Sequence, residues 1–173
     1  MCRHNGIGIC IAALRRFPSN GSVQDFGMLV LEFLGAHEEE WRDEITRQDG
    51  ISLAMTGMRA FPDNSGVLDS GCSLLASLGA GDQTNKDAIA AAGGIEVIIQ
   101  AMEHFPDKSG VQRHGARALA TLAYENPANQ GTIEEAGGIE LVVTAMGYCE
   151  PPNFKKKKQV FSISRKDRIS HEV

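Results

Sequence analysis

The chain has 173 residues, 42% of them hydrophobic and 23% charged, with a formal net charge of −5. That length accommodates one domain or a short array of repeated units. No run approaches the roughly 18 continuous apolar residues of a membrane helix, and the opening MCRHNGIGIC lacks the charged, apolar and cleavage regions of a secretory leader, so an intracellular protein without membrane contact is expected, cytoplasmic or nuclear.

The first predicted unit, residues 6–49, opens at Gly6-Ile7 with apolar residues at a helical period: Ile7, Cys10, Ile11, Leu14 and Phe17. Phe17-Pro18 stops that helix, because proline cannot continue the hydrogen-bond ladder and pushes the residue before it out of the helical region. A second helix carries Val23, Gly27, Met28, Leu31 and Leu34. A shorter one starts at the acidic stretch His37 to Trp41, whose acids suit a helix start. The second unit, 50–93, repeats this with Ile51, Ala54, Met55, Met58 and Phe61, then Val67, Gly71, Cys72, Leu75 and Leu78, then a short helix near 83–92. The third, 94–137, has Ile95, Ile98, Ile99, Met102 and Phe105, then Val111, Gly115, Ala116, Leu119 and Leu122, then a short helix near 127–136. A partial fourth, 138–149, begins with Ile139, Val142, Val143, Met146 and Cys149.

Gly-Ile recurs at 6, 50, 94 and 138, a constant spacing of 44, and residues 50–93 match 94–137 without a gap at 17 of 44 positions. Units of this kind cannot bury both apolar faces alone, so they stack. Asp63, Ser65, Asp107 and Ser109 stand between each proline and the next helix, where short oxygen-bearing side chains take up free N–H groups. Glycine inside a helix costs about 1 kcal/mol relative to alanine, and its return at 27, 71 and 115 predicts a close neighbour there. Gly93 and Gly137 are placed for the left-handed turn that closes a helix.

Asn-x-x-x-Ile-x-x-Ala-Gly-Gly-Ile-Glu at 85–96 and 129–140, with VQRHGARALATLA at 111–123, resembles the armadillo repeat. The unit is longer than the commonest armadillo spacing, and is similar to the long repeats of protist armadillo proteins and of the armadillo region of large leucine-rich-repeat kinases. The resemblance implies an all-α, right-handed superhelix of about three and a half repeats over residues 1–149, whereas the basic stretch at 150–173 has no armadillo pattern and is expected to be a disordered tail. In nuclear-import adaptors of this family a Trp and an Asn, one helical turn apart, grip basic peptides. Leu29 and Phe33, Ser73 and Ser77, and Arg117 and Thr121 stand at those positions here, so that grip is absent.

Residues 1–152 carry 10 basic and 20 acidic side chains, whereas 153–173 carry 7 and 2. An acidic body argues against nucleic acid as a partner. Cys2, Cys10, Cys72 and Cys149 contain no Cys-x-x-Cys pair and fit reduced thiols better than a disulfide or metal framework. The five histidines are equally dispersed, so neither a metal nor a cofactor is expected. Gly-Gly-Ile lacks the Lys-Ser/Thr of a phosphate loop, and no Ser, Cys or carboxylate recurs with a histidine partner, so the chain is expected not to be an enzyme.

In armadillo folds the long second helix lines the concave face. Removing its core positions leaves one stripe at i, i+4 and i+8: Asp25, Leu29 and Phe33, then Asp69, Ser73 and Ser77, then Arg113, Arg117 and Thr121. It runs from apolar through small and polar to basic, which fits an extended peptide with an acidic end over Arg113 and Arg117 and an apolar residue near Phe33. The plainer reading treats the arginines as solvated charges paired with Glu125 or a neighbouring helix, Leu29 and Phe33 as covered by something outside this chain, and Trp41 as core. In the tail, Lys155 to Lys158 read as a solubilising terminus or a nuclear address, and Ser162, Ser164 and Ser170 as phosphate acceptors. The expected function is noncovalent binding of a protein or extended peptide by a scaffold. A nuclear or transport adaptor, and a fragment of a larger regulatory armadillo protein without independent activity, are the alternatives.

Overall fold

Proline and glycine set the element boundaries in the computed structural model, which describes residues 5–147. The expectations for Cys2, Cys149, the lysine run and the tail serines lie outside the described residues. Each triplet opens with a helix that ends just before Phe-Pro: α1 (Asn5–Arg16), followed by α2 (Gly21–His37) and α3 (Glu39–Arg47). The same order returns in α4 (Gly50–Ala60), α5 (Ser65–Gly79) and α6 (Gln83–Ala91), and in α7 (Gly94–His104), α8 (Ser109–Ala123) and α9 (Pro127–Glu135), after which α10 (Gly138–Ala145) opens a fourth triplet. Every regular element among the described residues is helical, and none is long and apolar enough to cross a membrane.

The helix starts differ in detail from the sequence expectation. Asn20 Oδ1 accepts from Val23 N–H at 3.1 Å, and Asn64 Oδ1 accepts from the N–H groups of Gly66 and Val67 at 3.1 and 3.3 Å. Ser65 and Ser109 are already the first helical residues of α5 and α8, one position too late to cap. Lys108, at the cap of α8, has no side-chain acceptor, and only its backbone carbonyl takes up an N–H, that of Gln112. The turns after the short helices follow the expectation at Gly93 and Gly137, with φ of 75° and 77°, while Asp49 takes the same left-handed conformation at 66°.

α5 lies between α2 and α8, and the three long helices form one layer, with α1, α4, α7 and α10 packed behind them. Leu14, Met58, Leu75, Leu78, Ile89 and Ile98 are among the fully buried residues of the core that joins the layers. The close neighbour predicted at Gly27, Gly71 and Gly115 is the preceding helix of the same triplet: a Cβ at those positions would run into Leu14, Met58 and Met102 respectively.

Polar contacts repeat with the units as well. Asn85 Nδ2 donates to the Leu78 carbonyl at 2.8 Å and Asn129 Nδ2 to the Leu122 carbonyl at 3.0 Å, satisfying carbonyls that a helix end leaves without intrahelical partners. Gln24 Nε2 donates to the carbonyls of Leu14 and Phe17, and Gln112 Nε2 to those of Met102 and Phe105. Between units, Arg42 donates to the Ala80 carbonyl at 2.9 Å and Lys86 to the Tyr124 carbonyl at 2.7 Å, both across 38 residues. Arg15 and Arg59 likewise donate to the Gln48 and Ala92 carbonyls across 33.

Candidate recognition surface

The residues of the expected stripe on α2, α5 and α8 do not present a continuous surface. Ser73 and Ser77 are 3% and 2% exposed, so neither meets a partner from solvent, which corrects their assignment as contacts. Their small size is the cause, because it lets the flanking helices close over α5. A Cβ on Gly35 of α2 would lie 3.5 Å from Ser77 Oγ, and one on Gly79 of α5 would lie 3.4 Å from Thr121 Cγ2. Arg117 of α8 reaches Glu32 of α2 at 3.6 Å, spanning the helix between them. Ser77 Oγ is buried without a hydrogen-bond partner.

Asp25 and Asp69 already have partners in the next unit. Ser70 Oγ donates to Asp25 Oδ1 at 2.5 Å, and His114 Nδ1 lies 2.5 Å from Asp69 Oδ1, the same separation of 45 residues in both cases. Each carboxylate also lies against the first turn of the following long helix, at Gly66 and Gly110, where the helix dipole favours negative charge. These two residues join units and are not free contacts.

Of the remaining stripe, Thr121 is half-buried, Arg113 is exposed, and Arg117 is exposed with its charge answered by Glu32. Leu29 and Phe33 are 47% and 61% exposed. They belong to a wider apolar patch that the sequence reading missed, since Phe26 and Val30 of the same helix are exposed beside them at 63% and 43%. Positions 26, 29, 30 and 33 share one helix face. The signal was available in the alignment of units, where Ser70 and His114 stand in register with Phe26. Apolar and basic ends of the stripe are thus separated by a closed stretch.

Comparison with known proteins finds no matching family model, no matching curated protein and no matching solved structure.

Away from the stripe, a shallow groove opens between α4 and α7, lined by Met58, Arg59, Leu68, Val97 and Ala101, with His104 Nε2 3.1 Å from Asp63 Oδ1 at its rim. Leu68 there replaces the glutamine seen at 24 and 112, so Met58 and Phe61 lack the amide donor that their counterparts have. No group of three or more His, Cys, Asp or Glu that could hold a metal occurs among the described residues. Burial, reinforced by the charge of Asp69, pushes the Cys72 thiol up to about 12, and burial also raises that of Cys10, so both sulfurs are neutral near pH 7.

Proposed function

We propose that the chain is an armadillo-type right-handed superhelix that acts as a noncatalytic scaffold, recognising a protein through the exposed face of α2. The observation that carries this reading is the patch of Phe26, Leu29, Val30 and Phe33, four apolar side chains exposed on one helix face. A contiguous apolar surface of this kind marks an interaction site more often than chance exposure. The 44-residue period, the triplets of helices and the polar contacts that recur with it support the solenoid reading. A short helix with apolar residues at i, i+3 and i+7 suits α2 better than the long extended peptide suggested by the stripe, because the surface over α5 is closed.

Affinity capture from a lysate of the source cell tests this, comparing the intact chain with Leu29→Ser/Phe33→Ser and with Arg113→Glu/Arg117→Glu. Recovered proteins lost only in the first variant support recognition on α2. The same proteins recovered by all three chains overturn it, provided that circular dichroism shows equal helicity.

A further inference from the structure

The apolar face of α2 is the counterpart of the face through which α5 and α8 each receive the preceding long helix. Ser70 of α5 meets Asp25, and Ser77 lies against Gly35. One unit later His114 of α8 meets Asp69, and Thr121 lies against Gly79. Moving back by 44 residues, Ser70 and Ser77 become Phe26 and Phe33. At the other end of the row, Asp69 and Gly79 become Arg113 and Ala123 of α8, on a face that also carries the exposed Ala120.

We infer that a second copy of this chain stacks head to tail on the first, its α8 lying against the Phe26, Leu29, Val30 and Phe33 face of α2. The chemistry of the two faces matches. Within the row each junction pairs a carboxylate with a hydrogen-bond donor, Asp25 with Ser70 and Asp69 with His114. The register between copies places Arg113 against Phe26, and a guanidinium over an aromatic face is an attractive pair. It also sets Ala123 and Ala120 opposite Phe33 and Leu29, small residues receiving large ones as in packed cores. Residues 153–167, one period after α8, put Lys155, Gln159 and Lys166 where α8 has Val111, Gly115 and Leu122, so the sequence after α10 lacks the apolar pattern of another long helix. Because the two faces differ, the contact is heterologous and each added copy leaves a new face open.

This inference goes beyond the scaffold reading: a chain that stays monomeric overturns it and leaves recognition of a foreign partner on α2 standing. The test is sedimentation velocity on the full chain across the micromolar range, with Phe33→Asp to block the α2 face and Ala120→Arg to block the α8 face. Both positions are exposed, so each variant is expected to keep its helicity. The expected result is concentration-dependent association of the unmodified chain, loss of association in each variant alone, and formation of a one-to-one dimer when the two variants are mixed. A monomer at every concentration overturns the inference. So does a mixture that stays monomeric, or loss in Phe33→Asp with full association retained in Ala120→Arg, which would mean pairing of two α2 faces.

Discussion

Replacing Asn85 by alanine isolates one rung of the polar ladder. The Asn85 side chain is 4% exposed, and its Nδ2 donates to the Leu78 carbonyl at 2.8 Å and to Thr46 Oγ1 at 3.2 Å. The threonine hydroxyl sits on a half-buried residue and rotates to find another partner, so its loss costs little. The Leu78 carbonyl belongs to the last turn of α5 and lies in a fully buried residue, where no water replaces the amide. Leaving such an acceptor unpaired costs about 1–3 kcal/mol, and the removed side-chain atoms add to that, giving about 2–3 kcal/mol in all. At about 2–4 °C per kcal/mol for a chain of this size, Tm should fall by about 4–12 °C. Thermal melting followed by circular dichroism at 222 nm checks this. Asn85→Asp serves as the control for hydrogen-bond sense, since an ionised carboxylate turned toward a carbonyl has no proton to donate and must cost more than alanine. The reasoning fails if Asn85→Ala melts within about 2 °C of the parent, or if the aspartate variant is the more stable of the two.

Ser77→Ala removes a buried hydroxyl that has no partner and should raise stability by about 1 kcal/mol in denaturant titration; a loss of stability would mean that the hydroxyl is satisfied in solution. Gly131 lies inside α9 with open space around the site of a Cβ, so Gly131→Ala should stabilise by about 0.5–1 kcal/mol. Gly94→Ala should destabilise strongly, because its Cβ would meet Ile89 Cγ2 at 2.5 Å and the Ile89 carbonyl at 2.7 Å; equal Tm values for these two glycine variants would refute the packing argument. The Cys72 thiol ionises near 9.0 in the unfolded chain but is held up to about 12 when folded. Above pH 9 the unfolded state therefore binds fewer protons, and stability should fall by up to about 1.4 kcal/mol per pH unit toward pH 12. Urea titrations at several alkaline pH values should show that slope in the parent chain and a shallower one in Cys72→Ala.

The helices and their order were legible because the signals are local. Phe-Pro and Gly-Gly act on the backbone where they stand, and apolar residues at a helical period need no knowledge of neighbours. The glycines at 27, 71 and 115 were legible for a related reason, since a costly residue that returns in register implies a contact even when its partner is unknown. The caps were less accessible: Asp, Asn and Ser crowd the same turn, and a shift of one residue decides which of them faces the free N–H groups. Least legible were the contacts between units. The aspartate recurs at 25 and 69, but its partner changes from Ser70 to His114, so no recurring pair announces the contact. A stripe chosen by removing core positions identifies a helix face, but whether that face meets solvent depends on how near the adjoining helices come.

That distance is itself set by side-chain size at the centre of the layer. Leu29, Ser73 and Arg117 are equivalent positions in α2, α5 and α8, and the smallest of them is in the middle helix. With Ser73 and Ser77 on α5, the neighbouring helices approach until Arg117 and Glu32 meet across it. Large side chains at those two positions would overlap α2 and α8 and force them apart, as overpacking does in any filled interior. The apolar surface left open lies on α2, where no preceding long helix is packed among the described residues.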